Sequence, residues 1–235
     1  MISITDCYRL CKNNEHLLAK HRFATFGELS PGNVCCAALN LMAKKSNKRQ
    51  LILDEAARLF KAKGFSGTSM RDLAGEVGME AASMYNHIKS KDEILEHLCF
   101  HVSDTYIAQL AQVQHMPGTN REKLQALLRR HIHLMIEEAA AVSVANNDWK
   151  YLTGNKLEQF KNARKAYEKG FVALIEAGIA AGEFQPVNAS VALFTILSAV
   201  RWVELWYRPG RGITAPELEE NIMTILLNGL AKHTA

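Results

Sequence analysis

Residues 64–88, GFSGTSMRDLAGEVGMEAASMYNHI, constrain the fold more than any other stretch of the chain. Ala56, Ala57, Leu59 and Phe60 recur at helical spacing from about Ile52, and Gly64 stops that run. A glycine there takes the left-handed backbone that closes a helix without a Cβ penalty. Thr68 and Ser69 offer a hydroxyl N-cap for a second helix, whose inner face is Leu73, Ala74 and Val77. Gly78 provides a tight turn, and Met79 points back to the core. A third helix is expected from about Glu80 to Ile88, burying Ala82, Met84 or Tyr85, and Ile88. Its other face, Ala81, Ser83, Asn86 and His87, is short, polar and uncharged. This is the layout of a helix-turn-helix, which lays its second helix in the DNA major groove. An ordinary helical hairpin would share the Gly turn. The joint spacing of Gly64, Thr68, Ala74, Gly78 and Tyr85 behind a basic segment favours the DNA-binding reading.

On these residues the chain resembles the tetracycline-repressor (TetR) family over residues 48–95. The matching features are Ala56–Phe60, Gly64-Phe65, Thr68, Leu73-Ala74, Gly78-Met79, Tyr85-Asn86-His87-Ile88 and Lys91–Leu95. The resemblance implies an all-α protein, with a three-helix DNA-binding domain at 46–92 and a larger ligand-binding and dimerisation domain at 93–235. It implies phosphate contacts by Thr68, Ser83, Tyr85, His87 and Lys91, with Ser69 beside them at the helix start. Ala81, Ala82 and Asn86 would face bases. Ile88 stands where the family usually has Phe, and Glu80-Ala81 where Ser and Lys are common, which removes a cation from the groove.

Charge supports the DNA reading by its distribution rather than its total. The 235-residue chain carries a net +4, but residues 42–95 hold ten Lys/Arg against seven Asp/Glu. Lys44, Lys45, Lys48 and Arg49 cluster just before the first helix. A basic arm there can neutralise phosphates or enter the minor groove; a solvated tail has the same composition. Residues 1–45 are expected to be an extension, disordered or lying upstream of a natural start at Met42. Their Cys7, Cys11, His16, His21, Cys35 and Cys36 raise a metal- or redox-sensing alternative, as do His97 and His101. The spacing matches no common module tightly. Five cysteines form no evident disulfide framework, which fits a reducing, cytoplasmic location. No run of about 18 apolar residues is found, so no membrane span is expected.

The remainder reads as helix. Ser90–Glu93 and Thr119–Glu122 are capping boxes, each opening a helix with an apolar face. A further helix runs from Lys156 to Ala181, closed by Gly182 and Pro186. Residues 189–207, ASVALFTILSAVRWVELWY, are nearly apolar all round, so burial on more than one side is expected. With the helix capped by Thr214–Glu217 they can pair with a second copy as a four-helix bundle. A helix-turn-helix needs such a homodimer to read two half-sites of a palindromic operator.

The resemblance also implies a small-molecule effector pocket. Chemistry selects His131 and Met135 on one helix, Trp149 and Tyr151 near a helix junction, the bulky Phe171, Trp202 and Trp206, and Arg201 for an anionic ligand end. Arg208 and Arg211 are further cations of that kind. Core packing is the competing role for each aromatic, and a solvated role for each arginine. The segment Trp202–Gly210 with its following helix is similar to TetR regulators of fatty-acid, aromatic-acid and steroid catabolism, which often respond to acyl-CoA thioesters. The sequence contains no Ser nucleophile elbow, phosphate-binding Gly loop or paired His-Glu metal motif, so neither an enzyme nor a cofactor is expected. The expectation is a ligand-responsive transcriptional repressor; DNA binding alone leaves an activator open.

Overall fold

The computed structural model describes residues 48–230, with the side chains of residues 229 and 230 excepted. From Leu53 onward these residues form one compact unit. The expected extension at 1–45, with Lys44, Lys45 and the N-terminal cysteines and histidines, lies outside the described residues.

Helix α1 occupies residues 48–63, α2 Met70–Val77 and α3 Ala81–Met84. They are followed by α4 Lys91–Gln114, α5 Asn120–Glu137, α6 Ala139–Asn147 and a 3-10 turn at Trp149–Tyr151. Next come α7 Gly154–Ala180, α8 Ala189–Arg201, α9 Val203–Trp206 and α10 Ala215–Leu230. No strand occurs among the described residues, so the all-α expectation holds.

The caps show why the helices begin where they do. Thr119 accepts from the Glu122 backbone N–H while the Glu122 carboxylate accepts from Thr119, a reciprocal capping box. The box at Ser90 is split: Ser90 accepts from the Glu93 N–H, but Glu93 Oε2 accepts from the Lys89 N–H at 2.8 Å. The domain boundary expected at residues 92–93 therefore falls inside α4, one unbroken helix. Glu183 closes the other end of the bundle, accepting from the Arg121 backbone N–H at 2.8 Å and from Asn120 Nδ2 at 3.0 Å. Burial would raise its carboxyl, yet the N–H groups at the start of α5 hold it below the usual range.

The main core joins α4, α5, α7, α8 and α10 through Leu110, Leu124, Leu128, Phe171, Ile175 and Leu193, among others. Two glycines let it close. A Cβ on Gly170 would lie 2.7 Å from Leu110 Cδ2, so α4 and α7 approach here as closely as a bare backbone allows. A Cβ on Gly178 would lie 2.3 Å from the Phe184 ring, which folds back over the end of α7.

The apolar segment after Asn188 meets the fold on one side. Ala189–Trp206 is long and apolar enough, by length and composition, to cross a membrane. It is nevertheless a core element: α8 turns its Ala192, Leu193, Ile196 and Val200 inward. The rest of its surface is not buried in the single chain, because Val191 is 63% exposed, Phe194 53% and Trp202 60%.

Gly178→Val should drive the Phe184 ring from its seat and cost about 1–3 kcal/mol, the usual penalty for overpacking. Thermal unfolding measures it; an unchanged midpoint would mean that Phe184 has room to move.

Candidate functional site

The helix-turn-helix is built by local chemistry. Gly64 and Gly78 have φ of 77° and 68°, the left-handed backbone expected at both turns. Ser69 is the N-cap of α2: its hydroxyl accepts from the Asp72 N–H at 3.1 Å, and Asp72 Oδ2 accepts from the Ser69 N–H at 2.8 Å. The Ser69 hydroxyl also donates to Asp72, and these bonds hold the carboxyl below its ordinary range.

Helix α3 is shorter than expected, four residues, but Ile88 N–H still donates to the Met84 carbonyl at 3.1 Å. Met84 and Ile88 are its buried anchors. Ala81, Ala82, Tyr85 and Asn86 are exposed, and Ser83 and His87 are half-buried. Ala82, expected to face inward as one reading of the helix, thus faces solvent. The side chains of Lys48 and Arg49 stand at the first described turn of α1.

Two expected phosphate contacts have other work. Thr68 is only 2% exposed, and its hydroxyl donates to the Gly64 carbonyl at 3.0 Å, closing the turn after α1. Lys91 Nζ donates to the carbonyls of Phe65 at 2.8 Å and Thr68 at 2.9 Å, and lies 4.3 Å from the centre of the Phe65 ring. The ammonium therefore adds a charged donor to two carbonyls of the turn after α1, and pins them to the start of α4.

Phe65 is the residue on which this junction converges. Its ring meets Phe60 edge-on at 5.3 Å and Tyr151 at 5.4 Å. Its backbone N–H donates to Asp148, whose carboxyl burial nevertheless raises. Tyr151, expected at the effector, thus packs against the helix-turn-helix. Lys61 adds a bond to the Ala139 carbonyl at 3.4 Å.

The other effector candidates divide by burial. His131, Met135 and Phe171 are buried in the bundle. His131 stacks on Tyr106 at 4.2 Å and shares a 3.3 Å hydrogen bond between Nδ1 and Tyr167 Oη. Phe171 meets Tyr167 edge-on at 6.0 Å. Burial pushes His131 down to about 4 and raises both tyrosines far above their ordinary value. Tyr106 Oη, Gln109 Oε1 and Glu204 Oε2 are buried with no hydrogen-bond partner. Tyr106, Gln109 and Glu204 escaped sequence reasoning, although Val102, Tyr106 and Leu110 form an i, i+4, i+8 stripe that could have revealed the first.

The remaining candidates do not join that cluster. Trp149 stacks on Phe160 at 6.1 Å, beneath the Arg164 guanidinium. Arg201 donates to Asn147 Oδ1 at 2.7 Å, fastening α8 to α6. Arg208 donates to the Tyr207 and Glu204 carbonyls, and Arg211 is exposed. Trp202 and Trp206 are 60% and 56% exposed.

The metal alternative has no support here. No group of three or more His, Cys, Asp or Glu that could hold a metal ion occurs among the described residues. His97 and His101 stack at 6.3 Å along α4, and His101 pairs with Glu138 at 2.7 Å. They line an open groove of about 480 Å³ with Phe100, Asp104, Thr105 and Ala108. Cys99 is buried, and burial pushes its thiol up to about 12.

Comparison with known proteins places this arrangement. Residues 52–98 match the bacterial regulatory proteins of the tetR family, and residues 117–230 match the tetracyclin repressor-like C-terminal domain. The chain is 26% identical over 189 residues to the HTH-type transcriptional repressor KstR2 of Rhodococcus jostii, covering 80% of this chain and 93% of the relative. The solved structure of the ketosteroid transcriptional regulator KstR2 of Mycobacterium tuberculosis superposes with a TM-score of 0.75 at 25% identity, covering 79% of this chain and 95% of that one. AibR, solved in complex with isovaleryl coenzyme A and operator DNA, gives 0.67 at 26% identity, over 76% and 97% of the two chains. The chain belongs to the TetR family of regulators, and its helix-turn-helix is the DNA-binding end of a transcriptional regulator.

Two outcomes follow from the local chemistry. Lys91→Met keeps the stem but removes a donor from the Thr68 carbonyl and leaves the Phe65 carbonyl only the 3.4 Å bond from Thr68 N–H, which should cost about 1–3 kcal/mol and loosen residues 64–78 in hydrogen exchange. His131 binds a proton near 6.5 when unfolded but only near 4 when folded. Its contribution is whole above pH 6.5 and is lost as pH falls toward 4, at about 1.4 kcal/mol per pH unit. In His131→Phe, denaturant titrations between pH 4 and 7 should show a shallower loss.

Proposed function

We propose that the protein is a homodimeric repressor, working in the cytoplasm, that leaves a palindromic operator when its helical body binds a hydrophobic acyl-thioester-like effector. The observation that carries this reading is the continuity of α4. One end of the helix holds Lys91 on the Phe65 turn, and its middle places Tyr106 against His131 and Tyr167.

The dimer face of this reading is the apolar surface left uncovered by the last helices. Val191, Phe194, Trp202, Leu205, Trp206 and Ile225 are each more than half exposed. Exposed apolar side chains in such number support an interaction site, and pairing α8 and α10 with their copies would be self-complementary about a two-fold axis.

The effector side rests on chemistry and kinship. The interior combines aromatic rings with the unpartnered Tyr106 hydroxyl and Glu204 carboxylate, and a ligand site needs such a mix of apolar walls and few polar groups. Among the relatives, AibR was solved with isovaleryl coenzyme A and KstR2 is named a ketosteroid regulator. Ligand that binds the DNA-free form more tightly shifts the population toward it, and only that difference in affinity supplies the free energy. Asp148 and Tyr151, which follow α6 directly, would pass the change to Phe65.

Fluorescence anisotropy with duplexes from the protein's own gene neighbourhood tests the proposal. Binding should weaken steeply with salt, and one acyl-CoA of a graded series should release the DNA. Binding unaffected by every acyl-CoA, with no thermal shift from any, would contradict the effector class.

A further inference from the structure

The exposed face of α3 has a definite chemistry. Beyond its four helical residues the chain continues as a tighter helical turn: Asn86 and His87 N–H donate to the Ser83 and Met84 carbonyls at 3.2 and 2.9 Å, and Ile88 N–H to Met84 at 3.1 Å. With Met84 and Ile88 buried and Ala82 and Asn86 exposed, a rotation of about 100–120° per residue puts Ala82 and Asn86 on the side away from Met84, facing outward. They stand one above the other, about 6 Å apart along the axis, which spans roughly two base steps. Tyr85, 53% exposed, and Ala81 flank them.

What this face lacks is equally specific. From Ala81 to Ile88 the sequence AASMYNHI has no arginine or lysine, the side chains that read guanine O6 and N7. Asparagine reads adenine through N6 and N7, and an alanine methyl packs on the thymine C5 methyl. Exposed Lys89 and Arg71 lie outside the stripe, where a cation can meet phosphates.

We infer that α3 reads its operator at A·T pairs: Asn86 takes an adenine edge, and Ala82 takes a thymine methyl within about two base steps of it. This rests on the operator-binding reading above. The segment offers guanine no arginine or lysine, the side chains that read it bidentately, so the strongest sequence preference in each half-site centres on adenine and thymine.

Selection of bound duplexes from a random library, using the full chain, tests the inference. The strongest positions of each half-site should be A·T. Replacing the read thymine by uracil removes only the methyl and should weaken binding several-fold. In Ala82→Ser that thymine–uracil difference should vanish. Asn86→Ala, a substitution at an exposed position, should lose about tenfold on the selected site and tolerate any base at the adenine. Half-sites centred on G·C pairs, or equal affinity for thymine and uracil in the unaltered protein, would overturn the inference while leaving operator binding intact. Failure to select any sequence above salt-dependent background would overturn the operator reading, and the inference with it.

Discussion

Most of the side-chain contacts that tie the helix-turn-helix to the helical body converge on one turn, at Phe65. Its carbonyl and that of Thr68 are held by Lys91 at the start of α4. Its ring is covered by Lys91 and Tyr151, and its N–H is held by Asp148. Each bond alone is modest, about 1 kcal/mol for a neutral hydrogen bond and somewhat more where a charge takes part. Together they fix α1 and α2 to two separate parts of the body, α4 and the segment after α6. Gly64 and Thr68 hold the turn in the shape that presents those carbonyls.

The junction also explains how a short recognition helix suffices. Helix α3 contributes only Met84 and Ile88 to the core, too little to order it alone. Its orientation is borrowed from α2 through the Gly78 turn, where Met79 N–H donates to the Ala74 carbonyl at 2.8 Å. Firm anchoring through few contacts leaves the outward face free for Ala82 and Asn86, which need no internal role.

Much of this was legible in the sequence because it is local. The Ser69 and Thr119 caps, the left-handed glycines and the start of α4 depend on residues within four positions of each other. The roles of Thr68, Lys91 and Tyr151 were not legible. Lys91 reaches back to a carbonyl 26 residues earlier, and that partner is a backbone atom that any residue would supply. Tyr151 looks like an effector aromatic until the fold brings it to Phe65. The 189–206 segment was legible in part: its composition implies burial on more than one side, and within the single chain only one side of α8 is buried.

Native-state hydrogen exchange on the unaltered protein and Tyr151→Ala tests the central role of the Phe65 turn most directly. The account predicts that removing this ring lowers amide protection in residues 64–77 as well as in residues 148–152, and leaves α7 unchanged. Loss confined to residues 148–152, with α2 protected as before, would contradict it.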